Sequence, residues 1–571
     1  MLPQLALGLL LASGGAVGNV THSGKSVEVG DRVTYHGTYK DGVEAFLGIK
    51  YGQDTSGKNR FKAPRAYTPT PGSSIDATSP GLACPQDSSV GESFLPLYLT
   101  VFREYSEDCL SLNVNRPNGT NKGDKLPVMV FIHGGSYIVG SKDELTSQPA
   151  GLIIESVNNG LPVIHVSLNY RLGIFGFAKS AALPSHNAAL RDQRMALEWV
   201  KDNIAAFGGD PENVTIHGQS SGGLSVGLHI MAYGGEKPVP FQKAVCQSQA
   251  LEPGITGEYT SNAMARVLNA SECNTTSIDS QATIDCFRGL SIEKLLQLQT
   301  ETAGDKENIG DIWLPVVDGD FLPSAPSELV REGRFAAIPT IMGWTEDDTA
   351  PFVDIIIKTS NDTTKFFRDY APSMSDANLQ KLLDLYPVGE FTANRAANLS
   401  AEFYRSARIL RDILMVCEPF LYGQALSKKG QPVYFYDQNQ TVVDKPLESL
   451  GLPGLGVVHT SEFAYVFNNI SHYDINNYTY SPTASDERLA IRETRSWSAF
   501  ASHGHPSLKG RGTLEGWEPA FGSPNETRVF VIGSVEEGLH SLGDSSVIGR
   551  QKLQERCDFI NSPEIIEQLQ F

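Results

Sequence analysis

Between Val27 and Tyr51 the chain alternates apolar and polar residues around Gly-containing turns (VEVGDRVTYHGTYKDGVEAFLGIKY). Alternation at a period of two marks strands with one buried and one wet face, so N-terminal β-hairpins are predicted here. From Leu126 the alternation stops: LPVMVFIHGG and LPVIHVSLNY are unbroken, β-branched runs, as in strands covered on both faces of a mostly parallel sheet. The stretch between them is long enough for a crossover helix. In NAALRDQRMALEWVKDNIAAF the apolar residues Leu190, Met195, Leu197, Val200 and Ile204 share approximately one helical face, and Gly208-Gly209 ends the pattern. NVTIHGQSSGGLSVGLHIM then reads as strand, sharp turn and helix. Beyond Pro238 the pattern weakens into helical stretches (IEKLLQLQ, SAEFYRSARILRDILMV) and two short strand candidates, IPTIMG and VYFYD. Repeated strand-helix order predicts an α/β fold. With no internal repeat, long linker or low-complexity tract, residues 19–571 read as a single domain with helical insertions.

Composition narrows the class of protein. The 571 residues are 40% hydrophobic and 19% charged, a globular balance with enough apolar side chains for a large core. A net charge of −19 and no basic patch disfavour phosphate backbones and anionic lipid as partners. Residues 1–18 (MLPQLALGLLLASGGAVG) carry a short apolar run followed by small residues, the pattern of a secretory signal peptide, although no Lys or Arg precedes the run. Export is also suggested by N-glycosylation sequons at Asn19, Asn118, Asn269, Asn274, Asn361, Asn398, Asn439, Asn469, Asn477 and Asn525. Asn213 heads another sequon but sits just before an apolar strand, where a glycan is not expected. The seven cysteines show no metal-binding spacing, and their odd number leaves one thiol over in a secreted chain.

The sharpest chemical signal is Gly218-Gln219-Ser220-Ser221-Gly222, placed between a strand and a helix. A serine nucleophile on a tight strand-to-helix turn needs small neighbours, because the strained turn brings adjacent elements into contact. Ser220 holds the central position. A nucleophilic serine also needs backbone N–H groups aimed at the oxygen that becomes negative in the tetrahedral intermediate. Phe131-Ile132-His133-Gly134-Gly135-Ser136-Tyr137 follows a buried strand and has the His-Gly-Gly start of such a loop, with Ser136 where glycine is commoner.

On these motifs, and on FLGIKY at Phe46, RFKAP at Arg60, EDCLSLNV at Glu107, NYRLGIFGF at Asn169 and GVVHTSEFAYVF ending at Phe467, the chain resembles the type-B carboxylesterase and lipase family. The resemblance implies the α/β-hydrolase fold: a large, mostly parallel central sheet flanked by helices, with N-terminal β-hairpins and helical insertions. It also implies an acyl-enzyme route to ester hydrolysis without metal or organic cofactor. In this fold the acid and the histidine follow the nucleophile in the chain, which leaves His229, His459, His472, His503, His505 and His540. His229 lies too close to Ser220 for an acid to intervene, and His459 matches the family's histidine motif. IPTIMGWTEDDTAPF offers three consecutive carboxylates, Glu346, Asp347 and Asp348. Family spacing falls on Asp348, with Asp347 next. The resemblance thus implies Ser220, Asp348 and His459 as the triad, and Gly135, Ser136 and Ser221 as oxyanion donors. By the same likeness Cys84 pairs with Cys109, Cys273 with Cys286 and Cys417 with Cys557. Cys246 is left as a buried free thiol.

The loop between Cys84 and Cys109 contains the apolar run SFLPLYLTVF, which favours acyl or aromatic esters if it borders the site. It contains no Trp, and Gln219 is neutral where cholinesterases carry Glu, so choline esters are disfavoured. The reading is a secreted carboxylic ester hydrolase, with a triacylglycerol or sterol-ester lipase as the alternative. An amidase or a non-catalytic adhesion relative is the lesser reading, because all three triad positions hold competent residues and no membrane-spanning segment precedes Gln570.

Overall fold

The computed structural model describes residues 25–87, 100, 102–249, 251–273, 275–303, 312–473, 482–522 and 526–571. The leader, most of the apolar run after Cys84 and the sequons at Asn19, Asn274, Asn477 and Asn525 lie outside these residues. The strands are β1 (Ser26–Val29), β2 (Val33–His36), β3 (Thr38–Lys40), β4 (Val43–Lys50), β5 (Ser74–Asp76), β6 (Ser111–Arg116), β7 (Leu126–Ile132) and β8 (Ile164–Leu168). They continue as β9 (Gly209–Gln219), β10 (Lys243–Gln247), β11 (Thr340–Thr345), β12 (Val433–Gln438), β13 (Arg528–Ile532) and β14 (Gly538–Ser541).

β1, β2 and β5 form a small separate sheet, and the other strands form one sheet of 11 in the order β14-β13-β12-β11-β10-β9-β7-β8-β6-β4-β3. From β13 to β8 every neighbouring pair is parallel. The flanking strands β14, β6, β4 and β3 run antiparallel to their neighbours. The parallel strands are buried on both faces, which explains why their sequences do not alternate: β8, β10, β11 and β12 are buried at every position. The helix Ala188–Asn203 buries Leu190, Leu197 and Val200, and Gly208 stops the following turn with φ 93°. Among the elements not predicted from the sequence are β10 and the 20-residue helix Ala484–His503, whose buried face includes Trp497 and Phe500. Buried apolar side chains form one connected cluster from Val27 to Phe571.

Several of the conspicuous motif residues are structural ion pairs. Arg60 of RFKAP makes two bonds to Glu107 (2.7 and 2.5 Å) and donates to the carbonyls of Phe287 and Leu290. Arg171 of NYRLG pairs with Asp192 (2.8 and 2.7 Å) and also reaches the Lys62 carbonyl. Both pairs are buried, and losing one partner would strand a charge in the interior. Disulfides join Cys84 to Cys109, Cys273 to Cys286, and Cys417 to Cys557, while Cys246 is a buried free thiol. Asn118, Asn269, Asn361 and Asn398 are exposed. Asn439 and Asn469 are half-buried: the Asn439 amide nitrogen is enclosed, and that of Asn469 donates to the Leu145 carbonyl at 2.8 Å. A glycan at either would have to displace this packing.

Candidate active site

β9 ends at Gln219 and the helix Ser221–Ile230 begins two residues later, leaving Ser220 alone at the corner with φ 59° and ψ −133°. A non-glycine residue rarely holds this conformation, and the surroundings enforce it. A Cβ on Gly218 would lie 2.4 Å from the Gly222 carbonyl oxygen, and one on Gly222 would lie 2.1 Å from that of Ile132. Only glycines let β7, β9 and the helix meet at this corner. The Ser220 N–H donates to the Gln247 carbonyl (2.9 Å), which ties the corner to β10.

The loop after β7 faces it. The buried His133 ring stacks on Tyr170 (4.3 Å) and its Nδ1–H donates to the Gly134 carbonyl (2.9 Å). Burial holds this imidazole down at about 4, so at neutral pH it is an uncharged strut. Gly135 has φ 105°, and Ser136 and Tyr137 follow at 53° and 58°. The Tyr137 N–H donates to Ser221 Oγ at 3.2 Å, joining the loop to the helix start. Among the described residues the backbone N–H groups of Gly135, Ser136 and Ser221 have no protein acceptor.

His459 arrives from a loop 240 residues beyond Gln219 and accepts at Nε2 from the Gln219 side-chain amide (3.2 Å). Its Nδ1 meets Asp348 Oδ1 at 2.5 Å, and its backbone N–H donates to the Asp348 carbonyl. A carboxylate can only accept, so Nδ1 carries the proton and Nε2 presents its lone pair. Phe352 lays its ring edge-on against the imidazole, 5.2 Å away.

The three consecutive carboxylates part ways. Glu346 turns to Arg408 (2.7 Å), Arg411 (3.4 Å) and Gln551 (2.7 Å). Burial alone would raise its pKa, but the two guanidinium groups outweigh this and hold it below the ordinary value. Asp347 accepts from the Val457 N–H (3.1 Å) and clamps the loop that leads to His459. Burial and the neighbouring Glu346 charge push its carboxyl up to about 6. Asp348 is fully buried, with Oδ2 accepting from the Thr345 N–H (2.9 Å) and Oδ1 turned to His459.

Two contacts escaped the sequence. The Gln219–His459 bond is one; the residue stood out only because it is neutral. A Gln219→Glu variant is expected to shift the acid limb of the kcat/KM pH profile to higher pH, because a carboxylate beside the imidazole favours the charged, non-basic ring. A pH profile of the variant superimposable on wild type would refute this.

The other is Glu462, buried one turn after His459. Burial first, then the Asp348 charge, push its carboxyl from an ordinary 4.5 to about 7. Between those values the folded state keeps a proton that the unfolded chain has released. The stability contributed is therefore full below pH 4.5 and lost as pH rises through 7. Glu462→Gln is expected to exceed wild type by about 2 kcal/mol at pH 8 and to match it near pH 4.5, read by denaturant unfolding. A gain independent of pH would contradict it.

Two cavities meet at Ser220 and Ser136. One, of about 70 Å³, is lined also by His459, Gly140, Glu144 and Phe463. The other, of about 320 Å³, is walled by Phe352, Phe366, Leu410, Leu414 and Met415.

An eleven-stranded, mostly parallel sheet with a serine on a strand-to-helix corner defines the α/β-hydrolase fold. The crystal structure of Aspergillus niger EstA shares it, with a TM-score of 0.78 at 24% identity over 96% of this chain and 100% of that one. The model of the carboxylesterase family matches residues 27–559, and the chain belongs to that family. It is a carboxylic ester hydrolase. A secreted lipase of Arthroderma benhamiae is 50% identical over 95% of this chain and 96% of its own length. An inactive carboxylesterase-like protein of Byssochlamys spectabilis is 37% identical over 93% of each chain. Similarity along the whole chain therefore extends to relatives of both kinds.

Proposed function

We propose that Ser220 is the nucleophile, His459 the proton carrier and Asp348 its orienting acid, in a secreted enzyme that cleaves apolar acyl or aromatic esters. The observation that carries this reading is the contact between Asp348 and His459 Nδ1, which leaves the Nε2 lone pair available in a cavity that Ser220 also lines. On substrate arrival the Gln219 amide gives up Nε2. Ser220 Oγ attacks the ester carbonyl carbon as Nε2 takes its proton. The oxyanion is held by the N–H groups of Gly135, Ser136 and Ser221. Collapse breaks the bond to the alkoxy oxygen, which receives the proton from Nε2, and the alcohol departs. Water then attacks the acyl-enzyme through the same histidine, releasing the acid and restoring Ser220.

The apolar character of the substrate is supported by Phe352, which lines both cavities and is 44% exposed, and by Ile355 (49%) and Ile356 (72%) on the adjoining segment. A lipase activity is favoured by the description of the Arthroderma benhamiae relative as a secreted lipase. Secretion is supported by that description, by the leader and by the disulfides. Labelling with a fluorophosphonate and peptide mapping should place the adduct on Ser220, and an adduct elsewhere would overturn the assignment. p-Nitrophenyl esters from acetate to palmitate, alongside emulsified triolein, separate esterase from lipase. N-terminal sequencing of the exported protein should begin at Asn19.

A further inference from the structure

The two cavities at Ser220 divide the ester between them. When the tetrahedral intermediate collapses, His459 Nε2 gives its proton to the leaving alcohol, so the alcohol lies on the side that His459 lines. That is the smaller cavity; the larger one has Ser220 and Ser136 in its wall but not His459. The acid part of the ester therefore enters the larger cavity, among Phe352, Phe366, Leu410, Leu414 and Met415.

One feature of this cavity does not suit a plain hydrocarbon. Gln249, two residues past β10, lines it and is only 5% exposed. Its side-chain amide makes no hydrogen bond among the described residues and is not sealed from solvent, so it is open to the cavity. An occupant that displaces water from this amide without replacing its hydrogen bonds loses on the order of 1–3 kcal/mol, so one that pairs with it is favoured. The residue is also held firmly. The Ser248 N–H before it donates to the Gly343 carbonyl (2.8 Å), and a Cβ on Gly223 would lie 2.6 Å from the Gln249 carbonyl oxygen. Its backbone thus packs on the helix that starts at Ser221. Glu252, 6% exposed, lines the same cavity and adds to its polar wall.

We propose that the preferred substrates are esters whose acid part is apolar in bulk but carries a hydroxyl group, recognised by Gln249 in the larger cavity. The proposal rests on the reading of Ser220 and His459 given above. A hydroxylated acid satisfies the buried amide, whereas an unsubstituted chain of the same shape leaves it unpaired, and sites built around a hydrogen bond discriminate on that basis.

The test uses p-nitrophenyl esters of 3-phenylpropanoic acid and of its 3- and 4-hydroxyphenyl congeners, in which the ring hydroxyl cannot reach the reacting carbonyl. Wild type is expected to favour at least one hydroxylated ester over its parent by about tenfold in kcat/KM, the worth of one hydrogen bond. In Gln249→Leu that ratio should fall to about one. Gln249→Met, which keeps the side-chain length, carries the same expectation, so a Leu variant that does not fold leaves the test intact. Hydrolysis of the parent with no hydroxylated ester favoured, or a preference that survives both substitutions, overturns the proposal and leaves the nucleophile assignment standing. Hydrolysis that survives in Ser220→Ala overturns the assignment itself, and the proposal with it.

Discussion

A Ser220→Ala variant is expected to lose about four to six orders of magnitude in kcat on every ester tested, with its unfolding midpoint close to that of wild type. Alanine keeps the Cβ that fits the corner and removes only the attacking oxygen, so the strained backbone at φ 59° and its bond to the Gln247 carbonyl remain. The oxyanion N–H groups also remain, so a trace of catalysis above the uncatalysed rate should persist. Steady-state kinetics, together with intact-mass measurement after organophosphate treatment, decides the matter: undiminished turnover, or a phosphoryl adduct still formed, would remove Ser220 from the mechanism.

Asp348→Asn should cost about ten-thousand-fold in kcat, because an amide facing Nδ1 no longer specifies the tautomer that leaves Nε2 basic and cannot stabilise the imidazolium. Asp347→Asn should cost far less. Asparagine can still accept from the Val457 N–H, the contact that Asp347 makes through Oδ2. The pair of variants therefore separates two neighbours in the chain by their partners. Comparable losses in kcat, or the larger loss at Asp347, would reassign the acid.

The difference between these neighbours also shows where a sequence stops being informative. The corner around Ser220 and the loop at His133 are readable because their requirements are local: small residues beside a turn, glycines where backbones touch. The parallel strands β7 and β8 are readable because burial on both faces suppresses alternation over a long run. β10 is not, since Lys243 and Gln247 bracket only three apolar residues, too few to reveal any period. Among Glu346, Asp347 and Asp348 the pattern offers no discrimination, because the direction of each side chain on a loop is set by partners far away: arginines near residue 410, a backbone N–H at Val457, an imidazole at His459. Gln219 and Gln249 belong to the same category. Gln219 adjoins Ser220 in the chain and Gln249 follows the next strand, but what each touches or fails to touch is settled by the assembled walls of the two cavities. Conversely, Arg60, Glu107, Arg171 and Asp192 stand out in the chain as strongly as any site residue, and the fold spends them on holding loops together.

The state of the cysteines has a practical consequence. Six are tied in disulfides, and burial within β10 pushes the remaining Cys246 thiol far above the range in which it ionises. The native protein is thus a blank background for maleimide chemistry. A cysteine installed at Ile356, 72% exposed and four residues from the ring that leans on His459, would be its single reactive handle. A dye attached there would sit at the rim of the cavities and could signal, by its emission, when an ester or a lipid droplet comes to the entrance.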